Sequence, residues 1–126
     1  MPATTVYIYA EEDGSCPLLD WLAELRESNP RALDACIARV RLLAAMGHEL
    51  RRPHADMLRD GIYELRARVG HVNYRLLYFF HGKHIAIVAH GLSKEAAVPA
   101  TDIKRAIERR RRYEQDPAKH RATLDL

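Results

Sequence analysis

The stretch "YELRARVGHVNYRLLY", residues 63–78, alternates apolar and charged side chains on either side of Gly70-His71, two residues that can reverse the chain. Strand side chains alternate between faces with a period of two. Tyr63, Leu65, Ala67 and Val69 therefore share one face, and Ile62, Glu64, Arg66 and Arg68 share the other. Beyond the turn, Val72, Tyr74, Leu76, Tyr78 and Phe80 alternate with Asn73, Arg75, Leu77 and Phe79. This pattern predicts an antiparallel hairpin with one apolar face and with arginines from both strands on the opposite one. Two arginines on neighbouring strands can converge on one concavity, where their like charges repel unless an anion sits between them. Glu64 can supply that negative charge from within the chain, and a phosphate can supply it from outside.

Working outward, "TVYIY" at 5–9 reads as a short strand ahead of the acidic turn "EEDG". Ser15 can cap a helix with Pro17 in its first turn and Leu18, Trp21, Leu22 and Leu25 along one face. Asn29-Pro30 repeats the start signal for a second helix, with Leu33, Cys36, Ile37, Val40, Leu43 and Ala44 as its stripe and Gly47 as its stop. The short connection predicts an antiparallel helical hairpin. A basic, proline-interrupted loop is expected over 48–61, then strands at 62–69, 72–80 and 84–92 joined by tight turns. Pro99 introduces a helix with Ile103, Ala106 and Ile107 on one side, and "RRRR" at 109–112 is expected in solvent. These elements define an α+β domain: a mostly antiparallel sheet packed on an N-terminal helical hairpin, with a C-terminal helix. With helices on one side only, the arginine face is expected to be bare. Residues 1–115 are expected to form the domain, and the polar 116–126 a loose tail.

The chain of 126 residues is long enough for one core, burying about two-thirds of its unfolded surface. Its apolar runs, "LLYFF" and "IAIVA", are far below the roughly 18 residues of a membrane span. Cys16 and Cys36 form no C-x-x-C pair, and the start "MPATTVYIY" has no basic segment followed by an apolar one, so reduced thiols and a cytoplasmic location are expected. Charge is uneven. Residues 1–50 carry four Lys and Arg against eight Asp and Glu, whereas residues 51–126 carry sixteen against nine. The basic half is either a polyanion-binding surface or a solvated face. His81-Gly82-Lys83-His84 lacks a correctly spaced carboxylate or cysteine, and no metal or cofactor is expected.

Residues 52–94 carry a family pattern. Arg52-Pro53-His54 precedes the sheet, Gly61-Ile62-Tyr63-Glu64-Leu65-Arg66 and Tyr74-Arg75-Leu76-Leu77-Tyr78 form two strands, and His90-Gly91-Leu92-Ser93-Lys94 leads through proline into a basic helix. Taken together these resemble the RelE/HigB superfamily of bacterial toxin–antitoxin toxins, in particular its phage-related HigB-like branch. With the flanking helices the match covers roughly residues 5–115 in order and spacing. The resemblance implies a RelE-like, microbial ribonuclease-type fold and a ribosome-dependent endoribonuclease that cuts mRNA without a metal ion. It also implies a partner antitoxin, commonly a helix-turn-helix protein, that masks the basic face.

Metal-free RNA cleavage uses the 2′-hydroxyl as nucleophile and needs a proton acceptor, a proton donor and cations for the charge growing on phosphate. Arginine stays ionised and offers a planar fork of donors. On the family reading, Arg66 and Arg75 take the scissile phosphate with Lys94 as a further clamp, and His90 or His54 moves a proton. Arg51, Arg52, Arg59 and Arg68, with His54, line the path of flanking RNA. His90, set among apolar neighbours, fits a hydrogen-bonded core position equally well, and Trp21 and Tyr78 read as packing. The chain departs from the family where lysines and threonines commonly follow the first lysine: it has Glu95-Ala96-Ala97-Val98. That departure weakens the site and keeps open a second class of function, a binding protein of the same fold that acts by occupying a partner such as gyrase or an antitoxin: convergence of Arg66, Arg75, His90 and Lys94 in one open cleft favours the enzyme, whereas pairing of those arginines with Glu64 or Asp56 favours the inert binding protein.

Overall fold

In the computed structural model, residues 63–78 span the second and third strands of a six-stranded sheet and the turn between them. The structure describes residues 3–93 and 97–124. Strand β1 (Thr5–Tyr9) is followed by helices α1 (Pro17–Ser28) and α2 (Pro30–Met46) and a short 3-10 turn (Gly47–Glu49). Strands β2 (Ala55–Arg59), β3 (Ile62–Val69), β4 (Val72–His81) and β5 (Ile85–Ser93) follow, then helix α3 (Ala100–Gln115) and strand β6 (Arg121–Thr123). The order across the sheet is β2-β3-β4-β5-β1-β6, and β1 beside β5 is the parallel pairing in an otherwise antiparallel array.

The period-two reading of β3 and β4 holds. Leu65, Ala67, Tyr74, Leu76 and Tyr78 face the helical hairpin and pack against Leu18, Leu22 and Leu25 of α1 and Ala32, Cys36, Val40 and Leu43 of α2. Asn29 caps α2, its side-chain oxygen accepting the Ala32 N–H at 3.2 Å. Trp21 lies against Gly91 of β5 so closely that a Cβ there would collide with the indole. The helix thus settles onto the sheet because this position carries no side chain.

Four expectations are corrected. Cys16, not Ser15, occupies the N-cap position of α1, and the Ser15 hydroxyl donates instead to Asp13 at 2.6 Å. The 48–61 loop contains β2, whose Ala55, Asp56 and Met57 pair with Leu65, Glu64 and Tyr63. The segment 116–124 is not loose: β6 pairs with β1, and His120, buried, donates from Nδ1 to the Ala10 carbonyl at 2.8 Å while stacking on Tyr9.

The fourth correction bears on the site. The second sheet face is not bare, because α3 lies across it and encloses Ile62, Leu77, Phe79, Ile87 and Ala89 together with its own Ala106 and Tyr113. Arg110 pins α3 down by donating to the Asp60 carbonyl, 3.1 Å away in the β2–β3 turn. The arginine face is therefore divided into a part under α3 and a part that remains open near β2, β3 and the start of β4.

Candidate nucleic-acid interface

Strand pairing places Arg66 directly opposite Arg75. Such a like-charge pair destabilises a sheet unless it is neutralised, and Glu64 does so. It lies two residues before Arg66, on the same face, and its carboxylate oxygen Oε1 accepts from Arg66 Nε at 3.0 Å and from Arg75 Nη1. The Glu64 side chain is only 2% exposed, Arg75 12% and Arg66 37%. One buried oxygen thus holds two guanidinium groups side by side.

Asp56 extends the network, because β2 pairing sets it opposite Glu64. Its Oδ2 accepts from Arg66 Nη2 at 3.3 Å and from Arg52 at 2.9 Å through Nε and 2.7 Å through Nη2. The Arg52 hydrogen bond holds the Asp56 carboxyl below the usual carboxylate range. From behind, Arg39 of α2 donates to the Arg66 carbonyl at 2.8 Å and fixes the strand that presents the cluster. Arg52, Arg66 and Arg75 against Asp56 and Glu64 leave one positive charge in excess within this set.

His90 faces the same side of the sheet, opposite Leu77 in the β4–β5 pairing, but it lies beneath α3. Arg109 Nη1 donates to His90 Nδ1 at 2.7 Å, and His90 Nε2 stands 3.4 Å from Asp102 Oδ1. A guanidinium can only donate, so Nδ1 is a lone-pair acceptor and the ring is neutral with its proton on Nε2. Burial, and then the Arg109 charge, lower the His90 pKa to about 4 and outweigh the opposing pull of Asp102. His90 is thus part of an enclosed network that continues through Arg109 to Glu11 at 3.6 Å, not part of an open cleft with Arg66 and Arg75. Arg109 is also not in solvent, its side chain being 16% exposed.

Of the remaining candidates, Arg51 lies beside Leu50, Met57 and Tyr63 on the helical-hairpin side of the sheet, and the others flank β2 and β3. His54 precedes β2, and its carbonyl accepts the Arg66 N–H at 2.8 Å. Arg51 Nη1 donates to the carbonyls of His48 and, at 3.1 Å, Leu50. Arg59 pairs with Asp60 at 3.3 Å, and exposed Arg68 donates to the Gly70 carbonyl at 3.2 Å. Lys94 and the first part of the Glu95-Ala96-Ala97-Val98 departure lie outside the described residues. Among the described residues, no three His, Cys, Asp or Glu side chains are grouped to hold a metal ion, and no helix is long and apolar enough to cross a membrane.

Sequence reasoning missed the α3 partners of His90. The signal was in the helix period: Asp102, Ala106, Arg109 and Tyr113 recur at spacings of four, three and four, one stripe that carries two charged residues onto the buried side.

A six-stranded, mostly antiparallel sheet with three helices is consistent with a RelE-like fold, and the arginine cluster on its open part makes this a small α+β domain with a built cationic surface. Residues 21–111 match the family described as "Phage derived protein Gp49-like (DUF891)". The chain belongs to that family, which is a RelE/HigB-like toxin family and implies a cognate antitoxin partner. No curated protein sequence matches the chain.

Proposed function

We propose that this chain is a HigB-like toxin that acts in the cytoplasm on ribosome-bound mRNA and cleaves it without a metal ion, through attack of the 2′-hydroxyl on the adjacent phosphate. One observation carries the reading: Arg66 and Arg75 are cross-strand neighbours held on a single buried carboxylate oxygen. Guanidinium groups fixed in advance need no reorganisation when charge develops on phosphate, which is where electrostatic catalysis gains most. Arg66, with the more exposed side chain, makes first contact with the phosphate, and Arg75 supports it from the deeper side. Arg52, Arg59 and Arg68 border the open part and meet flanking phosphates; Lys94 completes the clamp. With His90 neutral under α3, His54, joined to Arg66 through the backbone, is the imidazole assigned to proton transfer.

A second reading draws on that same His90 geometry and on the pairing of Arg66 and Arg75 with Glu64 and Asp56, which favours a binding protein over a nuclease. If no imidazole serves the phosphate, the cluster binds its target without cutting it, and the toxin acts by occupying RNA, gyrase or another partner. The two readings share the arginine pair and differ in the fate of the transcript. Expression without the antitoxin, followed by primer-extension mapping of cellular mRNA, separates them. Cleavage predicts growth arrest with new 5′ ends inside coding regions, and Arg75→Ala, confirmed folded by circular dichroism, lowers cutting on the order of 10²–10³-fold. Intact transcripts during arrest contradict cleavage and support the occupying toxin.

A further inference from the structure

We infer that the outer face of the helical hairpin is the interface with a second copy of this chain, related to the first by a two-fold axis. The face lies on the side of the sheet opposite Arg66 and Arg75, and the inference does not depend on the RNA reading. Between α1, α2 and the end of β6 is a cavity of about 570 Å³, with Leu19, Leu22, Leu33, Ile37 and Leu124 in its apolar wall and Arg26, Asp34 and Arg41 beside them. Leu19 is 44% exposed, whereas Leu18 and Leu22 of the same helix are buried. An exposed apolar side chain next to an apolar groove supplies knob and hole on one surface, which a self-complementary two-fold contact requires.

The charges around the groove say what covers it. On α1, Asp20, Glu24 and Glu27 recur at spacings of four and three, one position on from the groove-lining Leu19, Ala23 and Arg26. On α2, Arg31, Asp34 and Arg41 share a stripe beside Leu33 and Ile37. One helix thus presents an acidic edge and its neighbour a basic one. All seven of these charged side chains are exposed, and none forms an ion pair among the described residues. The cluster on the other side of the sheet is built differently: Arg52, Arg66 and Arg75 each hold a carboxylate of the same chain.

A partner of one charge sign satisfies only one of the two edges. An identical face turned through 180° satisfies both, because α1 of one protomer then lies along α2 of its partner and the reverse contact follows by symmetry. Leu19 of each protomer enters the groove of the other, and four helices pack as a bundle between two sheets. Complementary edges of this kind set register and exclude a parallel arrangement, in which the acidic helices would meet. In this dimer both arginine clusters face outward, on opposite ends of the particle, so each protomer keeps its open surface.

The test is sedimentation equilibrium of the full chain over a range of concentrations. The expected result is a reversible dimer of the 14.4 kDa chain, weakened about tenfold or more by Leu19→Glu and by Ile37→Glu, as when a central apolar anchor is lost. Charge reversal locates the pairing. A variant with Glu24→Lys and Glu27→Lys is net positive on both helices, and one with Arg31→Glu and Arg41→Glu is net negative on both. Each is expected to be monomeric alone and the two to form a heterodimer when mixed, an outcome that misfolding does not mimic. Adding Leu19→Glu to the first variant abolishes the mixed dimer. A parent chain that is monomeric at every concentration overturns the proposal. So does a dimer indifferent to Leu19→Glu and Ile37→Glu, or failure of the charge-reversed variants to associate. A chain that is monomeric alone but gains hydrogen-exchange protection along α1 and α2 when purified with its antitoxin also overturns it, and assigns the groove to that partner.

Discussion

The two halves of the second sheet face carry the same chemistry to different ends. In the open half, Arg66 and Arg75 converge on Glu64, and Arg52 and Asp56 prolong the chain of ion pairs toward solvent. In the half beneath α3, Arg109 and Asp102 converge on His90, and Glu11, just after β1, closes the chain. Both put guanidinium groups beside a buried partner. The difference is the roof: the covered network is enclosed and its imidazole neutral, whereas the open one keeps an arginine side chain 37% exposed. A catalytic or binding surface on this fold is thus defined by where α3 stops as much as by which residues the strands present.

Four substitutions break or sharpen that contrast. The largest effect belongs to Glu64→Leu, which removes the buried carboxylate oxygen that Arg66 and Arg75 share. Removing one partner of a buried pair costs about 3–5 kcal/mol, read from chemical denaturation. A loss below about 1 kcal/mol would mean that the cluster is solvated and not held in advance.

Next is the acid limb of stability. His90 titrates at about 4 in the folded chain and about 6.5 when unfolded, so the unfolded state binds its proton first. The contribution is fully present above pH 6.5 and is lost progressively as pH falls toward 4, on the order of 3 kcal/mol in all. His90→Gln removes that component of the pH dependence, so the variant's denaturation midpoint falls less steeply between pH 6.5 and 4 than that of the parent. Equal slopes would place His90 in water.

A smaller change follows from Arg109→Met, which removes a charge opposing protonation. The His90 pKa, followed by NMR, moves up from about 4 toward its ordinary value without reaching it, because burial, the larger cause, remains. The smallest effect is that of Arg52→Ala at the exposed end of the open chain, where the side chain is 74% exposed. Exposed ion pairs contribute little, and no resolvable shift of the denaturation midpoint is expected, while RNA binding weakens and its salt dependence becomes shallower.

Much of this was legible in the sequence because it rests on short periods. Alternation in 62–80 assigned the apolar side chains of β3 and β4 to their observed faces, and Asn29 and Gly47 marked the bounds of α2. Glu64 was legible as one of two candidate counter-charges for the arginines, since residues two apart on a strand share a face. The rest depended on long-range packing. β2 is five residues with a register shift near Met57, too short to show alternation. β6 is three residues whose pairing partner lies at the other end of the chain. The path of α3 across the arginine face is set by Tyr113, Ala106 and the Arg110 contact to Asp60; the helix period marks the buried stripe of α3 but not the sheet face it covers. His90 was therefore placed on the correct face but in the wrong half.

The most direct measurement is the arginine Nε–H spectrum of the labelled protein, titrated with a short single-stranded RNA carrying 2′-deoxy sugars to block cleavage. Arg66 and Arg75 are predicted to shift together and to saturate at the same RNA concentration, with Arg109 unmoved. Shifts confined to Arg109 and its neighbours on α3, with Arg66 and Arg75 unchanged, would contradict the assignment of the open cluster as the phosphate site.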